Sequence, residues 1–170
     1  AGGNHCLAVD GGGNVWTWGD NTFGQLGTGD IGGAALPERI APLAVVVDVA
    51  AGSGHSVAVD TNGNVWAWGA GSIGQLGNGD FESSPIPVKI PSGAGAGVED
   101  ATKVAAGGSH SLVLRSSAVG SDLRAWGGNH NGQLGDGSTE DAGSPVEVMG
   151  LSGVETLAAL EFGLALLQPD

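Results

Sequence analysis

Basic residues are scarce in this chain. Five lysines and arginines stand against 18 acidic residues in 170, a formal net charge of −13. Nucleic-acid binding depends on lysine and arginine neutralising phosphates. The five present, Arg39, Lys89, Lys103, Arg115 and Arg124, form no basic stripe, so a direct DNA or RNA role is excluded. Acidic loops would instead suit a basic protein surface and keep the chain in solution. Cysteine is almost absent: Cys6 stands alone, no internal disulfide can form, and the compartment is left open. No apolar run approaches the ~20 residues of a membrane-spanning helix, so no membrane partner is expected. Helical periodicity is missing too. Residues 154–168 could be drawn as an amphipathic helix, but the phase of the repeats below argues against it.

What the chain has is repetition. Trp-Gly, four residues, then Gly-Gln-Leu-Gly occurs three times, at Trp18-Gly19, Trp68-Gly69 and Trp126-Gly127, with glutamines Gln25, Gln75 and Gln133. An upstream Gly-x-x-His recurs with it, ending at His5, His55 and His110. A proline follows each block at a fixed distance, Pro37, Pro87 and Pro145. Self-similarity at this period marks a repeat array. The glutamine blocks lie 50 and then 58 residues apart. The excess enters at 93–97 and 116–122, Gly- and Ser-rich stretches of the kind surface loops tolerate.

One unit reads as four short strands. In the second these are 46–51, 55–59, 65–68 and 87–90. Asn62-Gly63 is expected to be a two-residue hairpin turn with both residues at positive φ, and the leading proline suits an edge strand. Residues two apart share a face. Trp16 and Trp18 therefore oppose Val15 and Thr17, and large faces can enter small ones on the next sheet. The expected fold is all-β: a β-propeller sector of three four-stranded antiparallel blades plus a partial fourth. The units run 1–45, 46–98, 99–150 and a partial 151–170, one repeat array. The first lacks its leading apolar strand.

With Ala50-Ala51-Gly52 to His55-Ser56, Ala105-Ala106-Gly107 to His110-Ser111, Asn21, Gly29, Asn129 and Gly137 in register, the chain resembles the regulator of chromosome condensation repeat family. The resemblance implies a seven-bladed ring in the complete fold. Cys6 stands where Ser is usual, and Gly163 where His should be. Three units and a remnant cannot close such a ring. Either missing blades of a longer chain complete it, or copies join head to tail as a homo-oligomer.

Chemistry is thinly represented. His5, His55 and His110 sit on successive blades, too far apart in sequence to converge readily on a metal, and a structural bridge between blades is expected. His130, in the third long loop, is expected to be exposed or half-buried. The Asp60-x-Asn62-Gly63-Asn64 and Asp10-x-x-Gly13-Asn14 stretches are too short for an EF-hand loop and read as hairpin turns. Gly-Gln-Leu-Gly lacks the Lys-Ser/Thr of a phosphate loop and no helix follows it. Its glycines serve tight turns, its leucine anchors the loop, and its glutamine bonds loop backbone. No Gly-x-Ser-x-Gly elbow occurs. The sequence assigns no catalytic residue, cofactor or metal ligand. Trp18, Trp68 and Trp126 are expected at equivalent buried positions. The functional expectation is a non-catalytic scaffold for a protein partner of unknown identity. Guanine-nucleotide exchange for a small GTPase, implied by the resemblance, is the alternative.

Overall fold

The alternation in Val-Trp-x-Trp-Gly of the first two units, and in Leu-Arg-Ala-Trp-Gly of the third, builds a strand with one indole-bearing face, and that strand lies second or third in three sheets. A computed structural model describes residues 1–40, 43–92, 97–117, 120–151, 153–160 and 163–167. Among them there is no helix. The elements in chain order are β1 (His5–Val9), β2 (Val15–Gly19), β3 (Ala34–Arg39), β4 (Val46–Ala51), β5 (His55–Asp60), β6 (Val65–Gly69), β7 (Ser84–Lys89), β8 (Ala101–Ala106), β9 (His110–Ser117), β10 (Gly120–Gly127), β11 (Ala142–Glu147), β12 (Thr156–Leu160) and β13 (Gly163–Leu167).

They form four antiparallel sheets: β1-β2-β3, β4-β5-β6-β7, β8-β9-β10-β11 and β12-β13. The first has three strands because the leading apolar strand of the other units has no counterpart there. The middle two are complete four-stranded blades. β4 packs on β1 and β8, and β8 packs on β12, so the inner strands gather along one axis. A cavity of ≈ 230 Å³ opens there, lined by Gly2, Gly3, Gly52, Gly107 and small neighbours.

Cores form between sheets. Trp68 packs with Val15, Ile40, Val46 and Ala58. Trp126 packs with Val57, Val59, Val65 and Ala67. Each indole thus enters the small face of the preceding blade. Truncating a buried Trp to Ala costs about 3–5 kcal/mol, so these two side chains hold the stack together. Past the third blade, Val154 and half-buried Leu151 cover Leu112, Leu123 and Leu134.

Three details differ from the sequence reading. The outer strands begin three residues before their prolines, because Gly19 pairs with Ala34 and Gly69 with Ser84 before an irregularity shifts the register. Pro37, Pro85, Pro87 and Pro145 fall inside these edge strands, where a missing N–H blunts pairing with another chain. The β5–β6 turn is not a two-residue type with two positive φ values. Only Gly63 has one, at 73°, and Gly63 N–H bonds Asp60 C=O while Asp60 N–H bonds Asn64 C=O. The side chain of Asp60 selects this longer loop by accepting the N–H groups of Asn62 and Asn64. Third, residues 116–117 and 120–122 lengthen β9 and β10, with Ser117 opposite Gly120. Of the 93–97 insertion, 93–96 lie outside the described residues. In the fourth unit Ala159 stands opposite Leu164, in two strands and not a helix.

Candidate protein-binding surface

Gly-x-x-His forms a tight turn: Gly2, Gly52 and Gly107 N–H groups bond the carbonyls of His5, His55 and His110 at 2.9 Å. The imidazole then lies against its own glycine. A Cβ on Gly107 would come 2.1 Å from His110 Cε1, and one on Gly52 2.2 Å from His55 Cε1. This close approach is why glycine sits three residues before histidine.

The three histidines do not converge on one point; His5 and His55 each reach the next blade. His5 Nε2 lies 2.9 Å from Ser56 Oγ, and His55 Nε2 2.9 Å from Ser111 Oγ. Each hydroxyl hydrogen is already committed, Ser56 to Gln25 C=O at 2.8 Å and Ser111 to Gln75 C=O at 3.1 Å. The imidazoles must therefore donate from Nε2, leaving a buried Nδ1 that meets no donor. The bridge runs to a serine hydroxyl of the neighbour rather than to backbone. Burial lowers His5 from its ordinary 6.5 to about 4. Burial, then the charges of His5 and His110, lowers His55 to about 3. His110 is lowered by burial, and both its ring nitrogens lack a partner. Its unit's successor carries Leu164 at the register position of Ser56 and Ser111.

The same glutamine carbonyls take a second donor. Trp68 Nε1 donates to Gln25 C=O and Trp126 Nε1 to Gln75 C=O, both at 2.9 Å. Trp68 and Trp126 are buried, but Trp18 is half-buried, and among the described residues no further sheet packs on that face to offer its indole such an acceptor. The glutamine side chains bond their own loops: the Oε1 atoms of Gln25, Gln75 and Gln133 accept from Phe23, Ile73 and Asn131 N–H. Gly27 and Gly77, at φ 74° and 68°, let the loop lie flat on the next indole; a Cβ would meet Trp68 Nε1 at 2.9 Å and Trp126 Nε1 at 2.7 Å.

Sequence reasoning missed the inner organiser of each long loop. Asn21 Oδ1 accepts Leu26 N–H, and Nδ2 donates to Asp30 and Gly32 carbonyls. Asn129 repeats this with Leu134 and Ser138. The signal was the Asn two residues after Trp-Gly. In the second unit Gly71 takes that position and bonds Ser83 Oγ instead. Loop tips are tied outward as well: Gly29 N–H bonds Pro85 C=O and Gly79 N–H bonds Gly143 C=O, each on the next blade's outer strand.

These ties present loop side chains on one face. Phe23, Ile31 and Phe81 are exposed there, with Leu36 and Ile86 on the adjoining outer strands. His130 is exposed beside Asp141 at 3.6 Å. Asp20, held low first by the Thr22 hydroxyl, also accepts from Gln25 Nε2. On the opposite edge, Asp10 accepts from Trp16, Asn14 and Gly12, which hold it well below the carboxylate range. Among the described residues no group of three His, Cys, Asp or Glu could hold a metal ion.

A family model described as "Regulator of chromosome condensation (RCC1) repeat" matches residues 12–59, 62–114 and 123–159. Its units start at the hairpin turns and so straddle successive sheets. The chain is 33% identical over 162 residues to E3 ubiquitin-protein ligase HERC2 of Homo sapiens and of Mus musculus, covering 93% of this chain and 3% of theirs. Among solved structures it is similar to Prp20p from Saccharomyces cerevisiae, at TM-score 0.81 and 23% identity over 96% of this chain and 41% of that one. It is also similar to yeast RCC1 (Prp20) in a structure with Kap60 bound, at TM-score 0.81 and 22% identity over 95% and 39%. Human WBSCR16 matches at TM-score 0.65 and 20% identity over 100% and 57%.

Proposed function

The chain belongs to the Regulator of chromosome condensation (RCC1) repeat family, and from that premise we propose that it is a non-catalytic scaffold for protein–protein interaction. The observation that carries this reading is the loop face. Phe23, Ile31 and Phe81 stand exposed on loops pinned to the next blade by Gly29–Pro85 and Gly79–Gly143 hydrogen bonds. Exposed apolar side chains on a fixed frame suit a partner surface, since little ordering entropy is lost on binding. Prp20p has binding properties to Gsp1p and histones, and yeast RCC1 (Prp20) is bound by Kap60. Those likenesses carry the fold, and a protein partner is the property we extend to this chain.

We take the units 1–45, 46–98, 99–150 and 151–170 as one array acting together. A further blade, from a longer chain or a second copy, would extend the stack across Trp18. The chain spans 3% of HERC2 and about two-fifths of the Prp20 chains, so the ligase in the first name is a property of the larger protein. Guanine-nucleotide exchange is the alternative, and no loop residue described above favours it.

The test is a selection of phage-displayed random peptides on the immobilised 170-residue chain. Enriched peptides should bind the wild type and lose binding to a Phe23→Ser/Phe81→Ser variant of unchanged thermal stability. Failure to enrich any sequence, or binding indifferent to both changes, would remove the loop face as an interaction surface.

A further inference from the structure

We propose that the outer rim of the loop face binds an extended protein segment whose apolar side chains are followed by a lysine- and arginine-rich stretch; this rests on the scaffold reading and names its partner class. The apolar part repeats in register. Ile31 (69% exposed) and Leu36 (75%) on the first blade stand 50 residues from Phe81 (50%) and Ile86 (54%) on the second. Gly29 N–H on Pro85 C=O brings the first loop beside Ile86, whose Cγ2 would lie 3.7 Å from a Cβ on Gly29. Phe81 reaches on to the third blade, its ring 2.9 Å from where a Cβ of Gly143 would sit. Apolar side chains thus stand at both boundaries, Ile86 against the first loop and Phe81 against the third blade's outer strand.

Its charge has one sign. Loop segments 20–33, 70–83 and 128–141 contain no lysine or arginine, while Asp30, Asp80, Glu82 and Glu140 are exposed on them. The chain's cations lie toward the hairpin ends, and several are already engaged: Arg115 with Asp122, Arg124 with Glu147, Lys103 with Glu155 C=O. They cannot offset the rim's potential, which favours an incoming cation. The third blade sets the direction. Thr139 and Ser144 replace the two apolar residues there, beside Glu140 and Asp141. The partner's apolar residues would thus lie over the first two blades and its cations over the third. Prolines inside β3, β7 and β11 disfavour strand addition, so the segment is held through side chains.

Fluorescence anisotropy with three labelled synthetic 12-residue peptides tests this. One carries Leu and Phe followed by Lys and Arg; in the second Glu replaces the cations; in the third Ser replaces the apolar residues. The first should bind at least about tenfold tighter than either other, and weaken as salt rises. Ile31→Ser/Phe81→Ser should lower its affinity about tenfold. Asp80→Asn/Glu82→Gln/Glu140→Gln should lower it and flatten the salt dependence, with thermal melts of both variants unchanged. Equal or tighter binding of the Glu peptide would overturn the partner class while leaving the scaffold reading intact. No binding by any of the three would also overturn it, and the peptide selection above then decides separately whether the scaffold reading survives.

Discussion

At the scale of single residues, blade contacts are carried by polar atoms shared between units. Gln75 C=O accepts from both Ser111 Oγ and Trp126 Nε1. Trp126→Phe would keep most of the buried ring and remove one donor, at a cost of about 1–2 kcal/mol. Trp18→Phe removes no such bond and should cost less than about 0.5 kcal/mol. Urea unfolding of the two variants compares them, and equal costs would refute the shared-carbonyl account. The histidines set a pH dependence. The folded forms of His5 and His55 titrate near 4 and 3, against 6.5 in an unfolded chain. Between those values the unfolded chain binds more protons, so stability is full above 6.5 and falls as pH falls through the window. Loss of carboxylate charge relieves the self-repulsion of a −13 chain and opposes this, but mostly below about pH 5. The urea midpoint should therefore drop between pH 7 and 5, and drop less in His5→Gln. A flat profile in the wild type would count against neutral buried imidazoles.

At the scale of elements, the hairpins show a concerted exchange. In the second blade Asp60 gathers Asn62, Asn64 and Trp66 Nε1. In the third, the equivalent places hold Arg115, Asp122 and Arg124, with Arg115 Nε and Nη2 each 2.8 Å from an Asp122 oxygen. A carboxylate-centred turn has become an ion-paired hairpin. Asp60 is buried, so Asp60→Ala should cost about 2–3 kcal/mol by stranding several donors, whereas Asp10→Ala on the exposed first hairpin should cost clearly less. Thermal melts of both variants check the order, and a larger loss from Asp10→Ala would contradict it. Much of this scale was legible in sequence. Two copies of Val-Trp-x-Trp-Gly, aligned with Leu123-Arg124-Ala125-Trp126-Gly127 in the third unit, mark strand and face, because alternation is local. The hairpin type was misread because Asn62-Gly63 taken alone says nothing of the Asp60 side chain that selects the longer loop. The outer strands were placed late because their register depends on an irregularity in β2 and β6 that proline spacing does not encode. The His–Ser link spans 51 and 56 residues, so it emerges only when two blades are stacked. Loop composition showed acidity, but not which apolar side chains it leaves exposed.

At the scale of the whole molecule, each sheet is stabilised by its neighbours, and stability should be graded along the array. The second blade is covered on both faces. Every residue of β5 is buried, and its indole Trp68 and small residues Val57, Val65 and Ala67 lie in two different inter-sheet cores. Among the described residues the first sheet is covered on one face, leaving Trp18 half-buried, and β12 and β13 pair with each other alone. Local opening follows such coverage, because an amide exchanges when its segment unfolds and the cost is the burial lost. Hydrogen–deuterium exchange at pH 7 should therefore run slowest in β5, β6 and β9, faster in β1–β3, and fastest in β12–β13. Trp126→Phe should accelerate exchange in β6 and β9, which meet at the affected core, while leaving β1–β2 nearly unchanged. The nearest-neighbour account requires this locality. Uniform protection across all four sheets, or equal acceleration in β1 and β9, would show a single cooperative unit instead of a stack of coupled blades.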